Sequence, residues 1–118
     1  MMYSNIPRFY LYDDEIGLIG QFLHELVSGN FSRNVLEHVA DIAAMRVYIS
    51  QLPEKPAEPR DGFIAYTRAW IVDGENCEFF QSIWTEESGY EPSDISVHIE
   101  IVNMKDSRKL QFISVYSP

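Results

Sequence analysis

The chain has 118 residues, of which 46% are apolar and 14% aromatic, and it carries a net charge of −9. That size suits one core, and the apolar fraction lies above the disordered range despite the charge, so residues 1–118 are expected to form a single acidic domain. Eighteen carboxylates against nine Lys and Arg disfavour direct binding of nucleic acid or anionic membrane, which both select basic patches, but leave a basic protein partner open.

The N-terminal residues lack the basic and apolar regions of a secretory signal, and no apolar run approaches the roughly 20 residues of a membrane span. Cys77 is a lone cysteine and cannot close an internal disulfide. The expectation is a soluble, cytoplasmic protein.

Along the chain, Arg8-Phe9-Tyr10-Leu11-Tyr12 is aromatic and reads as a short strand or an apolar arm. Asp13-Asp14-Glu15 then places acids where a helix N-terminus favours them. Ile16, Ile19, Phe22, Leu23, Leu26 and Val27 recur at helical steps, and Gly29 offers a left-handed stop, which predicts a helix over about 14–28. Ser32 can cap a second helix over about 33–52, with Val35, Leu36, Val39, Ile42, Ala43 and Ile49 on one face. Pro53, Pro56 and Pro59 mark residues 53–62 as a connector, since proline neither continues a helix nor joins a central ladder.

Beyond Gly62 the hydrophobic period becomes two. Strands are predicted over about 63–72, 77–85, 95–103 and 110–117, with a turn at Asp73-Gly74-Glu75-Asn76 and a loop over 86–94. Ile95, Val97, Ile99 and Ile101 against Ser96, His98 and Glu100 give the cleanest alternation, one dry face and one wet. The fold class is therefore α+β: two amphipathic helices on one face of a roughly four-stranded antiparallel sheet, in chain order α-α-β-β-β-β, with room for one short extra N-terminal strand.

With Gly74-Glu75 as the central turn residues, Val72 would face Cys77, Trp70 would face Phe79, Arg68 would face Gln81 and Tyr66 would face Ile83. The opposite side would carry Ala65, Thr67, Ala69 and Ile71 beside Glu78, Phe80, Ser82 and Trp84. Both sides of this hairpin hold large apolar groups, and two helices can cover only one. The second side is then either an interaction surface built on Tyr66, Trp70 and Phe79, or a surface covered by the arm Phe9–Tyr12 or by the proline connector.

No Lys or Arg lies between Arg68 and Lys105, while Asp73, Glu75, Glu78, Glu86, Glu87, Glu91, Asp94 and Glu100 all do. The hairpin turn and the 86–94 loop should project negative potential able to steer a basic partner, unless these acids are only a solvated surface. The partner-binding candidates are thus Asp73, Glu75, Glu86, Glu87, Tyr90, Glu91 and Asp94, together with Tyr66, Trp70 and Phe79.

Catalytic and metal motifs fail on inspection. His24-Glu25 opens like the H-E-x-x-H zinc signature, but Ser28 occupies the place of the second histidine. His38 with Asp41, and His98 with Glu100, are pairs that arise commonly by chance. Cys77, beside Glu75 and Glu78, should have a raised pKa and be a poor nucleophile. The acids lack the alternation and spacing of an EF-hand, and neither a G-x-S-x-G elbow nor a glycine-rich phosphate loop is present. No catalytic residue, metal or cofactor is expected.

The leading functional expectation is a non-enzymatic, acidic protein-binding module that inhibits or neutralises a basic partner, itself a nuclease or nucleic-acid-binding protein. In size and charge alone it resembles small acidic inhibitors such as immunity proteins that block a toxin and phage anti-defence proteins that block a host nuclease. The alternative is a small-ligand or enzymatic pocket where helices cover a curved sheet, as in cone-shaped α+β folds. A homodimer through the spare sheet face or an edge strand is a further alternative.

Overall fold

The computed structural model describes residues 6–33, 35, 36, 39–60, 62–73, 76–103 and 108–116; of Val39, Asp73 and Asn76 it describes the backbone. Helix α1 runs over Asp13–Ser28, with Asp13, Asp14 and Glu15 in its first turn. Glu15 turns back to accept the Tyr12 N–H at 2.8 Å, one of the donors every helix N-terminus leaves orphaned. The helix stops at Gly29, whose φ of 75° is left-handed and whose N–H reaches the Glu25 carbonyl at 2.8 Å. Ile19, Phe22, Leu23 and Leu26 are its buried stripe. Gly20 keeps that side open for the Phe63 ring, which lies 3.5 Å from where a Cβ would stand; Gly17 has no comparable neighbour.

Helix α2 spans Val39–Gln51 and starts later than the sequence pattern predicts. Upstream of it, the Val35 and Leu36 N–H groups instead bond the Ser32 carbonyl at 3.2 and 3.0 Å. The reason is tertiary. The Val35 carbonyl accepts the Leu110 N–H at 2.7 Å, and Leu36 bridges parallel to Leu110, so this segment saturates a strand edge instead of a helical turn. His38 lies outside the described residues. Ile42 and Met45 carry the buried side of α2, with Ile49 and Leu52 partly buried below them.

The strands are β1 (Ile6–Arg8), β2 (Pro56–Ala57), β3 (Thr67–Asp73), β4 (Asn76–Ser82), β5 (Trp84–Thr85), β6 (Ser96–Asn103) and β7 (Arg108–Tyr116). Five of them form one antiparallel sheet in the order β1-β3-β4-β6-β7, while β2 and β5 pair separately. The fold is therefore α+β, two helices and an antiparallel sheet, with the N-terminal segment supplying a fifth strand beside β3. Two boundaries differ clearly from the sequence reading. Phe63–Tyr66 is a 3-10 turn and not the start of β3. The chain leaves the main sheet at Ile83, and Trp84–Thr85 pairs with Pro56–Ala57 of the connector. A two-residue edge ladder is a place where proline is tolerated.

The hairpin register also differs. Asp73 pairs with Asn76 as the turn demands, but the next pair is Ile71 with Cys77, which leaves Val72 as an extra bulged residue. Gly74 and Glu75 themselves lie outside the described residues. The bulge shifts all upstream pairs by one: Trp70 faces Glu78, Ala69 faces Phe79, Arg68 faces Phe80 and Thr67 faces Gln81. A one-residue shift exchanges the faces of a strand, so Trp70 and Phe79 stand on opposite sides of the sheet. A second bulge at Ile113 does the same in β7, where Phe112 pairs with Ile99 but Ser114 pairs with His98.

The helices cover the side holding Phe79, Cys77, Val97, Ile99, Ile101, Leu110 and Phe112, all in the core with the buried stripes of α1 and α2. Into one end of this layer runs an ion cluster that sequence reasoning missed. Glu15 is fully buried and binds both Arg8 and Arg108, the latter at 2.8 Å; Arg108 also reaches Asp14 at 2.9 Å. Arg8 lies over the Tyr12 ring at 4.8 Å and near Tyr10 and Phe79. The cluster ties arm, helix and last strand together, which is why Arg8 and Glu15 can be buried at all.

Candidate functional site on the open face of the sheet

Among the described residues, no helix lies over the opposite side of the main sheet. Alternation along the strands, corrected for the two bulges, sends to it Arg68 and Trp70 from β3, Glu78, Phe80 and Ser82 from β4, Ser96, His98 and Glu100 from β6, and Tyr116 from β7. Tyr66, from the 3-10 turn, joins them, and all of these except Glu100, which stands beside Glu78 at the margin, line an open groove of about 700 Å³. The arm does not cover it. Tyr10 and Tyr12 border Ile71, Cys77 and Arg108, Leu11 packs against the core, and Phe9 is 94% exposed and does not line the groove.

Cross-strand pairing arranges the groove in rows. Trp70, Glu78 and Glu100 form one row, Arg68, Phe80 and His98 the next, and Ser82, Ser96 and Tyr116 the third. His98 stacks on Phe80 with ring centroids 4.2 Å apart and hydrogen-bonds through Nε2 to the Glu78 carboxylate at 3.0 Å. Glu78 is thereby fixed in place. Glu100, its cross-strand neighbour, has no hydrogen bond or ion pair among the described residues. Burial first, and the Glu78 charge second, push the Glu100 carboxyl above the ordinary carboxylate range.

Of the candidates drawn from the sequence, Tyr66 and Trp70 stand on this face. Phe79 does not: it is 0% exposed and packs in the core, because the Val72 bulge turns it away from Trp70. Glu86, Glu87, Tyr90, Glu91 and Asp94 are exposed in the loop between β5 and β6. That loop is anchored from within, by the Trp84 Nε1–H donating to the Tyr90 carbonyl at 3.0 Å and the Ser93 N–H donating to the Ile83 carbonyl at 2.8 Å. Tyr90 itself is 79% exposed, with Arg60 over its ring. Glu75 and the Asp73 side chain fall outside what is described.

The loop follows the Ser82 end of β4, whereas the hairpin turn precedes Asn76 at the other end, about 20 Å away along the strand. The acids expected to act as one surface are therefore split between two ends of the sheet, with Glu78 and Glu100 between them. The sequence had put His98 and Glu100 on a wet face through the Ile95–Ile101 alternation; Phe80 and Glu78 became visible there only once the bulge was known.

The remaining polar candidates have structural duties. His24 Nδ1 meets Glu58 Oε1 at 2.8 Å on the surface. Glu25 is buried and accepts hydrogen bonds from Gln21 and from the Ser32 N–H and hydroxyl, at 2.9, 2.6 and 3.1 Å. Asp41 accepts the Phe112 N–H at 3.0 Å. Burial, before any charge, raises the Cys77 thiol. The direction matches the sequence argument, but desolvation leads where neighbouring acids were expected to. Among the described residues, no group of three or more His, Cys, Asp and Glu is placed to hold a metal, and no helix is long and apolar enough to cross a membrane.

Comparison with family models, with curated proteins and with solved structures finds no match to this chain.

Proposed function

We propose that this chain is a non-enzymatic acidic module that binds a basic protein through the open face of its sheet and thereby inhibits or neutralises that partner. The observation that carries the reading is the uncovered face itself, where Trp70, Phe80, Tyr66 and Tyr116 line a groove with the Glu78–His98 pair, and Glu100 stands beside Glu78, on a chain of net charge −9. Aromatic residues at the centre of a patch contribute most of the binding energy in protein interfaces, and the surrounding charge sets partner choice and association rate. The loop acids Glu86, Glu87, Glu91 and Asp94 at one end of the groove would act in steering more than in holding.

The test is parallel affinity capture with the natural chain and with a Trp70→Ala, Phe80→Ser variant, followed by identification of the bound proteins. A basic protein retained by the first and lost by the second is the expected result. Capture of the same protein by both, or of an acidic one, would sink the reading. A small-ligand site is the second reading, and what favours it is the groove volume of about 700 Å³, within the usual range for such pockets. It would sit on the outer face, away from the packed layer between helices and sheet.

A further inference from the structure

Among the described residues, the open face carries an electrostatic mismatch relieved by the His98–Glu78 contact alone. Glu78 and Glu100 are directly opposed across β4 and β6, and like charges in that position repel. His98 satisfies Glu78 alone. Arg68, in the neighbouring row, makes no ion pair with either acid among the described residues. On the other side of Glu78 stands Trp70, and Phe80 is two residues along the same strand. An unpaired, partly buried carboxylate, a second one held rigid, and an aromatic ring in one row form a surface complementary to a flat cation.

Resting on the reading that this face binds a basic protein, we infer that the Trp70–Glu78–Glu100 row is the seat of a single arginine side chain of that partner. The guanidinium lies over Trp70 and directs its N–H groups to Glu100 and to the free lone pairs of Glu78. Arginine fits where lysine does not, because its planar fork serves two carboxylates at once, stacks on an aromatic face and sheds water more readily than an ammonium. The two acids then no longer repel each other, so the cation completes an arrangement that is strained without it. Steering by the loop acids is a separate effect, since they lie beyond the Ser82 end of the strand while this row lies toward its other end.

The experiment titrates the intact chain with blocked hexa-arginine and hexa-lysine peptides by calorimetry, using the natural sequence, Glu100→Gln, Trp70→Leu, and a Glu86→Gln, Glu87→Gln control. Loss of one charge-assisted hydrogen-bonding partner corresponds to roughly tenfold in affinity. The expected result is tighter binding of the arginine peptide, about tenfold weakening by Glu100→Gln or Trp70→Leu, and loss of the arginine preference in both. The loop control, which removes twice the charge of Glu100→Gln, should weaken binding less than either. Equal affinity for the two peptides, no binding of the arginine peptide, or a loop control as damaging as Glu100→Gln would overturn the inference. Capture with the Glu100→Gln chain separates the two levels. A basic partner still retained in full leaves the binding face standing and removes the arginine seat; no partner for the natural chain removes the face itself.

Discussion

Replacing Glu15 by Gln is expected to cost about 3 kcal/mol of folding stability at neutral pH. The Glu15 carboxylate is 0% exposed and is shared by Arg8, whose side chain is 6% exposed, and Arg108, which is 25% exposed. Gln keeps the shape but leaves two guanidiniums without their common counter-charge. Breaking a buried pair from one side costs about 3–5 kcal/mol, because a desolvated charge is left uncompensated. The lower end applies here, since Arg108 keeps Asp14 at 2.9 Å and retains some water. For 118 residues the unfolding entropy near the midpoint makes each kcal/mol worth about 4 °C, so the melting temperature should fall by roughly 12 °C. Urea unfolding should show a lower midpoint at unchanged slope. A Glu15→Leu, Arg8→Met double variant should recover much of the loss, as matched apolar replacements of buried pairs do. A single-variant loss under about 1 kcal/mol would refute the reasoning, since that is the value of a screened surface pair.

Asp41→Ala should destabilise by about 1–3 kcal/mol, because it strips the acceptor from the Phe112 N–H on the outer edge of β7; hydrogen exchange at Phe112 should accelerate, and unchanged protection would contradict this role. Cys77 is buried with a raised thiol pKa, so labelling by an aromatic disulfide reagent at pH 8 should occur only through opening of the fold; rapid reaction of the native chain would disprove that. Glu100 gives a pH dependence whose sign is fixed by the raised carboxyl. The folded state holds its proton more tightly than the unfolded state, so this group favours folding below the unfolded carboxylate pKa, and that contribution is lost as pH rises through the folded value. The charged groups sharing its face among the described residues are Arg68, Glu78, His98 and Lys109. Glu100→Gln should therefore stabilise the chain at pH 7 and do so less at pH 4; equal effects at both would contradict the assignment.

The elements themselves were largely legible. Helix α1 and strand β6 follow from unbroken periods of 3.6 and 2, and the Gly29 stop and the buried faces agree with the sequence pattern, while the N-cap is Tyr12 and not one of the acids. Where pattern reading failed, a long-range partner had taken over the backbone. Val35 and Leu36 have helical spacing relative to Ile42, yet their backbone bonds to Leu110, some 75 residues away, and no local signal carries that information. The pairing of Arg8, in the aromatic arm, with Glu15, at the helix N-terminus, was invisible for the same reason, since the third member, Arg108, belongs to the last strand.

The make-up of the open face was hidden by something smaller. Val72 is an ordinary β-former with no glycine or polar residue to mark a bulge, and the turn beside it obeys the expected register. One inserted residue moved Phe79 from the proposed patch into the core and brought Glu78, Phe80 and His98 alongside Trp70. The sequence did hold one discriminating signal. An inward Phe79 is the choice consistent with Ile99 as its neighbour on β6, because the β6 alternation already fixes which face is dry. Pairing β4 to β6 before pairing it to β3 orients β4 from the clean alternation. Trp70 must then stand outward beside Glu78, or else share the dry face with Phe79, where the small Ala69 is found. The register of an ambiguous hairpin is thus better read from its third strand than from its turn, and here that order of inference moves the candidate site from the acidic loops to the row containing Glu100.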